Sequence, residues 1–332
     1  MSFAVVFPGQ GSQSVGMLGE LAVAEPVVGE TFAEAADVLG RDLWALAQAG
    51  PAETLADTRV TQPLMFVADM AVWRVVSARL GAQPSDRKPC AVAGHSLGEF
   101  AALVAAGCID FDQALRLVDT RATLMASAVP DGEGGMAALI GLDDEAVEAL
   151  CGDIVVEMSA EMSAEMSADM LVVRVLEAVN FNAPGQVAVS GHLDAIERLV
   201  AVARDKGARK AVVLPVSVPN HSSLMRDAGA SLARAIDEID WREPAFPLVQ
   251  NATACVAPSL DAMLETLRAH VFSPVRWTAS MQALRDAHGA STIIECGPGK
   301  VLAGLGKRID RALPTLPVES PATLDAALEA LS

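Results

Sequence analysis

The chain has 332 residues, of which 52% are hydrophobic, so it is long enough for one large domain or for a large domain that carries a small one. Its formal net charge is −18, from 24 basic and 42 acidic residues, which argues against nucleic acid as a partner. No apolar run reaches the ~18–20 residues of a membrane span, and the first residues do not resemble a signal peptide. We therefore expect a cytoplasmic protein with no membrane partner.

Five scattered cysteines form no C-x-x-C pair, and the sequence has no histidine cluster. Neither a disulfide framework nor a metal site is indicated, and a reducing compartment is the simplest interpretation.

The first predicted element is an apolar strand over residues 3–7, followed by the turn-rich loop 8–13 (PGQGSQ). Its glycines allow the backbone to approach a ligand closely, although an ordinary surface turn has the same pattern. No G-K-[ST] follows, so the loop is not a phosphate loop.

Helical patterns at 26–39 and 62–79 precede the stretch GHSLG around Ser96, which reads G-x-S-x-G. The apolar run at 90–93 predicts a buried parallel strand, and residues 99–106 predict a helix that ends at a glycine. A strand, a tight turn and a helix are the context of a nucleophile elbow, which exposes the serine hydroxyl at the top of the sheet. The motif is short and also occurs by chance, but the flanking elements favour a nucleophile.

A helix is predicted from about 111 to 127, and the composition then changes at 129–135 (VPDGEGG), which we interpret as a linker. The following patterns alternate in the order β-α-β-β-α-β, at 136–140, 143–150, 172–179, 187–190, 193–206 and 210–216. That order is typical of a ferredoxin-like domain. We predict an α/β protein in which a small ferredoxin-like domain (130–217) is inserted into a large α/β-hydrolase-like domain with a parallel sheet (1–129 and 218–332).

The large domain is predicted to continue with a strand at 293–296, a Gly-Pro-Gly turn and a helix at 301–309. One segment does not follow these patterns, the tandem repeat EMSAEMSAEMSADM at 157–170. Four residues advance a helix by ~400°, so the methionine stripe drifts by ~40° per repeat. The glutamates also stack at i, i+4, which is mildly destabilising. We interpret the repeat as a surface insertion, helical or frayed, with no catalytic role.

Six ordered motifs make the chain similar to a known family. They are FPGQGSQSVGM at 7–17, GHSLGEFAAL at 94–103, LVDTRATLM around Arg121, NFNAPGQVAVSG at 180–191, PVSVPNHSSLM at 215–225 and ECGPGKVLAGL at 295–305. The chain resembles the malonyl-CoA:acyl carrier protein transacylases of bacterial fatty-acid synthesis, nearly from end to end. The resemblance implies that malonyl passes from malonyl-CoA to a serine ester and then to the phosphopantetheine thiol of acyl carrier protein. We expect a monomer that needs no metal and no cofactor beyond these substrates.

The same resemblance assigns residues to the reaction. Ser96 is the nucleophile, and His221, one of five histidines, is the base. The base needs an acceptor to fix its tautomer; in the family this is a main-chain carbonyl, and we assign it to Gln250. A serine–histidine dyad is therefore expected rather than a full triad. The N–H groups of Gln10 and Leu97 are expected to bind the oxyanion.

Arg121 is expected to bind the free carboxylate of malonyl, because a guanidinium offers two parallel donors to a carboxylate. Arg116, five residues earlier, lies ~140° away around a helix and is expected on the surface. Three amide side chains could bind the pantetheine arm or CoA: Asn180, Asn182 and Gln186. Because carrier proteins of this kind are acidic, docking on this acidic chain requires a local basic patch. The candidates are Arg204, Lys206, Arg209, Lys210, Lys300, Lys307 and Arg308.

Three other functions remain open at this point. A serine esterase shares G-x-S-x-G but usually has an Asp or Glu between the serine and the histidine. A non-catalytic relative that only binds a carrier is disfavoured by the joint presence of Ser96, His221 and Arg121. A discrete acyltransferase that serves a polyketide synthase would carry the same residues, and the carrier proteins that it loads would distinguish it.

Overall fold

A computed structural model describes residues 2–81, 88–165 and 173–331 of the chain. Its strands are β1 (Phe3–Phe7), β2 (Ala91–Gly94), β3 (Gly134–Ile140), β4 (Leu176–Ala183), β5 (Gln186–His192), β6 (Lys210–Val213), β7 (Leu248–Val249), β8 (Thr292–Cys296) and β9 (Thr315–Val318). Its α-helices are α1 (Gly19–Ala24), α2 (Val27–Leu39), α3 (Leu43–Ala49), α4 (Ala52–Ala56), α5 (Thr58–Gly81), α6 (Gly98–Ala105), α7 (Phe111–Ala126), α8 (Asp144–Glu165), α9 (Leu193–Val202), α10 (Arg226–Asp237), α11 (Leu260–Arg268), α12 (Trp277–Asp286), α13 (Val301–Ile309) and α14 (Pro321–Leu331). Within the described ranges, two short 3₁₀ turns lie at Ser223–Met225 and His270–Phe272.

The larger sheet has the strand order β7-β2-β1-β8-β9, and each pair of neighbours is parallel. Strands β1, β2 and β8 are buried at every position, which explains why the sequence shows continuous apolar runs rather than alternation. Because the strands are parallel, the loops that follow β1, β2, β7 and β8 meet at one edge of the sheet. That edge therefore brings together segments that are far apart in the sequence.

The smaller sheet is antiparallel throughout, with the order β4-β5-β3-β6. Helices α8 and α9 pack on one of its faces through a separate apolar cluster that includes Ile154, Ile196 and Leu199. The chain order β3-α8-β4-β5-α9-β6 confirms the predicted α/β fold with a ferredoxin-like unit. The exact domain limits at 130 and 217 stay a prediction.

The predicted linker at 129–135 partly belongs to this small sheet, since β3 already begins at Gly134. A Cβ atom on Gly134 would lie 2.5 Å from Cδ of Pro219, so the absence of a side chain allows the strand to approach the segment before His221. Gly134, one of the glycines in the predicted linker, therefore serves close packing. It lets the small sheet approach the loop that carries the predicted base.

The first part of the EMSA repeat, residues 157–165, forms the end of α8. Arg198 on α9 bonds Glu161 at 2.8 Å and lies 3.5 Å from Glu157, which ties this helix to its neighbour. Helix α8 thus continues well beyond the predicted end at 150. Residues 166–170 of the repeat lie outside the described residues. In the ranges 2–81, 88–165 and 173–331, no helix combines the length and the apolar character that crossing a membrane requires.

Candidate active site

Ser96 lies in the turn between β2 and α6, with φ of +51°, the left-handed region that a serine adopts only at a steric cost. Both flanking glycines are required by contacts. A Cβ atom on Gly94 would lie 1.9 Å from the backbone of Gly98, and one on Gly98 would lie 2.2 Å from the carbonyl oxygen of Phe7. The G-x-S-x-G spacing is therefore the sequence of a turn so tight that neither glycine position has room for a Cβ atom.

The hydroxyl of Ser96 meets the imidazole of His221, with 2.7 Å between Oγ and Nε2. The other ring nitrogen, Nδ1, lies 2.9 Å from the carbonyl oxygen of Ser273 and 3.1 Å from that of His270. Carbonyl oxygens only accept, so Nδ1 carries the proton and Nε2 accepts from the serine hydroxyl. Two residues that are 125 positions apart in the sequence thus form a hydrogen-bonded nucleophile–base pair.

The assignment of the orienting carbonyl to Gln250 is wrong. Gln250 is buried in the loop after β7, where its main-chain carbonyl accepts from the N–H of Ala254 at 2.8 Å. The acceptors for His221 come from the 3₁₀ turn at His270–Phe272 and the residue after it. The family resemblance implies that a neutral carbonyl replaces an aspartate, but only the packing of this turn against the imidazole selects which carbonyl.

Arg121 projects from α7 and is 2% exposed. Its Nη2 donates to Oγ of Ser96 at 3.3 Å, its Nη1 donates to the amide oxygen of Gln62 on α5, and its Nε has no partner among the described residues. Burial lowers the pKa of Arg121 to about 9, partly offset by the charge of Glu99, so the guanidinium stays charged at neutral pH. A buried cation with a free donor beside a serine hydroxyl is suited to an anionic group on a bound acyl chain.

Gln10 and Leu97 line the same pocket as Ser96, Arg121 and His221, and the pocket has a volume of about 100 Å³. Leu97 stands at the start of α6, where backbone N–H groups carry a partial positive charge. Among the hydrogen bonds of the described residues, none uses the backbone N–H of Gln10 or Leu97 as donor. Both groups are therefore available to an oxygen that develops negative charge, and their role as an oxyanion hole stays a prediction.

These groups form a pocket for serine-based acyl transfer, and the sequence of the chain agrees: residues 4–313 match the acyl transferase domain family. The chain belongs to this family. Two curated relatives, from Salmonella typhimurium and Escherichia coli K12, are named malonyl CoA-acyl carrier protein transacylase. They are 46% and 45% identical, over 98% of this chain and 98% and 99% of their own lengths. The family resemblance found from the motifs is confirmed.

Solved structures of the family have the same fold. The malonyl-transacylase in a complex with a type II PKS acyl-carrier protein, PlMCAT:AntF, superposes with a TM-score of 0.90 at 43% identity, covering 99% of this chain and 100% of that one. The malonyl CoA-acyl carrier protein transacylase of Coxiella burnetii also gives 0.90, at 39% identity over 100% and 98% of the two chains. These matches extend across the parallel sheet and the small antiparallel sheet.

The three amides that were predicted to bind CoA in this family member lie in different places. Asn180 lines the Ser96 pocket, and its buried Oδ1 has no hydrogen-bond partner among the described residues. Asn182 contacts Nε2 of His95 through its Oδ1 at 2.7 Å. Gln186 begins β5 and accepts a hydrogen bond from Arg308, outside the residues that line the pocket. Of the three, the structure brings only Asn180 to the pocket that contains Ser96.

The elbow of this acyl transferase has a support that the sequence did not reveal. The side chain of Asn251 accepts from the N–H of Ser96 at 2.6 Å and donates to the carbonyl of Gly94 at 2.5 Å. The backbone N–H of Asn251 donates to Oε2 of Glu99 at 2.8 Å. Asn251 follows Gln250 in the motif LVQNAT, so the residue type was visible but its contact 155 positions away was not.

Electrostatics keep the imidazole of His221 neutral. Burial, the charge of Arg121 and the neighbouring His95 together lower the pKa of His221 to about 3, against the two carbonyls that raise it. Around neutral pH the imidazole therefore holds no extra proton and can accept one from Ser96. An anion paired with Arg121 would remove part of the repulsion and strengthen the base when substrate is bound.

Proposed function

We propose that the chain transfers a malonyl group from malonyl-CoA to the phosphopantetheine thiol of acyl carrier protein, through an ester on Ser96. The observation that carries the proposal is Arg121, a buried guanidinium with an unpaired Nε whose Nη2 lies 3.3 Å from the serine oxygen. An acyl group attached to Ser96 can form an ion pair with this cation only if it carries a carboxylate, and malonyl carries one. The names of the relatives support the same substrates.

The first half-reaction begins when His221 Nε2 takes the proton of the Ser96 hydroxyl as Oγ attacks the thioester carbonyl. The N–H groups of Leu97 and Gln10 bind the resulting oxyanion, and the loss of one such donor typically costs about 3 kcal/mol in the transition state. The tetrahedral intermediate expels the CoA thiolate, which takes the proton from the imidazolium. Malonyl remains as an ester on Ser96.

The second half-reaction repeats these steps with the carrier thiol. His221 removes the thiol proton, the sulfur attacks the ester carbonyl, and Ser96 leaves with the proton from the imidazolium. The same base therefore serves both half-reactions, as a ping-pong mechanism requires.

The reaction needs no cofactor, because serine supplies the nucleophile and histidine the proton transfer. We place the reaction in the cytoplasm, where all five cysteines would remain free thiols.

Selectivity for malonyl over acetyl would follow from the same arginine. Malonyl can pair its carboxylate with the buried guanidinium, whereas acetyl leaves that cation without an anionic partner. Gln62 already holds Nη1, which fixes the direction of the guanidinium within the pocket. The interaction would select short acyl groups that end in a carboxylate.

Docking of the acidic carrier would use the predicted basic residues of the small domain and those at the start and end of α13. All seven predicted cations are exposed, and none belongs to a salt bridge of the described residues. Arg209 packs against Gly141, whose N–H donates to the carbonyl of Gly185, and the next residue, Gln186, bonds Arg308. This continuity between the small sheet and α13 supports one basic surface that contains both Arg209 and Arg308. We call it the 209–308 surface after these two residues.

A salt series tests the 209–308 surface. Transfer from acylated Ser96 to carrier should slow as ionic strength rises, because exposed charges steer association less in salt. Arg209→Ala and Arg308→Ala should reduce the slope, whereas Arg116→Ala, on the exposed face of α7, should leave it unchanged. A rate that is flat across ionic strength would reject the surface.

A second candidate, supply of malonyl to a polyketide carrier protein, is favoured by one comparison. A solved neighbour at 43% identity is a malonyl-transacylase bound to a type II PKS acyl-carrier protein. Both candidates use the same site and the same acyl donor. Parallel loading of holo carrier proteins from fatty-acid and polyketide systems by the purified enzyme would distinguish them, since only the preferred carrier should be loaded at low enzyme concentration.

The decisive experiment mixes the purified protein with malonyl-CoA and measures the intact mass. We expect a malonyl adduct on a peptide that contains Ser96, and its disappearance when holo carrier protein is added. An adduct that is lost to water at the same rate with and without carrier would instead support a serine esterase. A protein that acquires no adduct would contradict acyl transfer altogether.

A further inference from the structure

We infer that Asn251 is a positioning residue for Ser96: its side-chain amide links the two sides of the elbow turn and holds the nucleophile toward its base. The inference rests on the proposed function insofar as Ser96 is the nucleophile. Asn251 is 1% exposed and makes two bonds to the turn, from the N–H of Ser96 and to the carbonyl of Gly94. It lies behind the serine, outside the residues that line the substrate pocket.

The register of the parallel sheet brings the two segments together. Ala93 of β2 pairs with Val249 of β7, so the second residue beyond β7 lies beside the turn that follows β2. Asn251 is that residue. Its own backbone is fixed on both sides, since its N–H donates to Glu99 at 2.8 Å and its carbonyl accepts from the N–H of Arg276 at 3.0 Å. A rigid backbone position allows the short side chain to act as a spacer of fixed length.

An amide is the one neutral group of this length that satisfies both sides of the turn. The N–H of Ser96 needs an acceptor and the carbonyl of Gly94 needs a donor, and Oδ1 and Nδ2 supply one each. A carboxylate would accept from Ser96 but would face the carbonyl of Gly94 with a second acceptor. A buried polar group left unpaired typically costs 1–3 kcal/mol, so either loss would bear on the turn.

The turn needs this support because Ser96 adopts a φ of +51°. Non-glycine residues in the left-handed region persist only where surrounding contacts hold them, and such strain is typical of functional sites. If Ser96 relaxed toward the right-handed region, Oγ would move away from His221 Nε2, which now lies at 2.7 Å. A misplacement of ~1 Å can cost about 100-fold in rate. The groups that bind substrate would not move, so the cost should fall on kcat rather than on KM.

The test uses Asn251→Asp, which preserves the size of the side chain. At pH 8 the carboxylate repels the carbonyl of Gly94, and we expect kcat for Ser96 acylation to fall about 100-fold with KM for malonyl-CoA nearly unchanged. At acid pH the protonated carboxyl can donate to that carbonyl, so the loss relative to wild type should become smaller. Asn251→Ser, too short to span the turn, should show the loss without recovery at acid pH. Thr253→Ala, in the same loop and exposed, should behave as wild type.

A second readout separates this inference from the proposed function. Phenylmethanesulfonyl fluoride reacts with activated serines without needing Arg121 or a carrier, and it should label Ser96 of Asn251→Asp about 100-fold more slowly than Ser96 of wild type at pH 8. Wild type that reacts with this reagent but not with malonyl-CoA would refute the proposed function alone. Folded Asn251→Asp with wild-type kcat at pH 8, or with an equal loss at every pH, would overturn the positioning role.

Discussion

Two strand–turn–helix units flank β1 in the parallel sheet, β2–α6 on one side and β8–α13 on the other. Both strands are buried along their whole length, both end in glycine-rich turns, and both turns lie at the same edge of the sheet. Each unit also buries a glutamate whose pKa is raised to about 7 by desolvation, Glu99 in one and Glu295 in the other. The two units are thus close counterparts in architecture and in electrostatics.

They differ in what meets the start of the helix. In β8–α13, the carboxylate of Glu295 accepts from the N–H groups of Leu302 and Ala303, at 2.9 and 2.7 Å. In β2–α6, Glu99 accepts from Asn251 instead, and the N–H of Leu97 stays open beside Ser96. A helix start that its own chain has already capped with a carboxylate is structural, whereas one left open to a pocket is suited to bind a developing anion.

Removing the hydroxyl of Ser96 should make the β2–α6 turn as unreactive toward malonyl-CoA as the β8–α13 turn. Ser96→Ala leaves the fold intact but removes the nucleophile, so no malonyl adduct should form with malonyl-CoA. Intact-mass spectrometry provides the measurement. Val301→Ala, which changes an exposed residue at the start of α13, should form the adduct as wild type does. A stable adduct on Ser96→Ala would assign the nucleophile to another residue.

The base gives the next largest effect. His221→Ala should slow both half-reactions by roughly 10³-fold or more, because a serine without its base is a weak nucleophile and the same imidazole serves both steps. Single-turnover rates of acylation and of transfer to carrier measure each half. His288→Ala, outside the pocket, is the matched control. Slowing of only one half-reaction would mean that a different group acts in the other.

Arg121→Ala should alter selectivity more than reactivity. The variant loses a charge-assisted pair with the malonyl carboxylate, and loading with malonyl should fall by roughly 100-fold or more. Acetyl should hold steady or rise, because it no longer leaves a buried guanidinium unpaired. Competitive loading of Ser96 by the two thioesters measures the ratio, and Arg116→Ala, exposed on the same helix, is the control. An equal fall for both substrates would refute the selectivity argument.

The smallest expected effect concerns stability and compares the two glutamates directly. A carboxyl whose pKa rises from 4.5 to about 7 on folding holds a proton that the unfolded chain has lost, so its contribution to the free energy of unfolding falls as pH rises through that range. The whole effect is at most roughly 3 kcal/mol for each glutamate. Glu99→Gln and Glu295→Gln should each flatten the pH dependence of unfolding, measured with urea.

At pH values below the raised pKa of Glu295, Glu295→Gln should in addition lower stability, since an amide offers only one oxygen to the two N–H groups at the start of α13. Glu99→Gln retains an acceptor for the N–H of Asn251 and should cost less. Identical unfolding profiles for the two variants would contradict the distinction between a capped and an open helix start.

The sequence by itself determined what depends on neighbouring residues. Apolar runs identified β1, β2 and β8, and the spacing of glycines around Ser96 identified the elbow, because a turn of a few residues is fixed by steric contacts among those residues. The β-α-β-β-α-β order identified the small sheet. The predicted end of α8 at residue 150 was wrong. No helix stop signal near that residue was strong enough to end the helix, and Gly152 lies within it.

Tertiary structure alone decided which distant groups meet. The periodicity of α7 separated Arg121 from Arg116, but only packing against α5 placed Arg121 inward with Gln62. The carbonyls that orient His221 come from His270 and Ser273 rather than from Gln250. These contacts, and the side-chain bonds of Asn251 to the elbow turn, form where loops from separate strands converge at one sheet edge. Such contacts join residues up to 157 positions apart, and their geometry follows from strand order and register, which local sequence patterns do not encode.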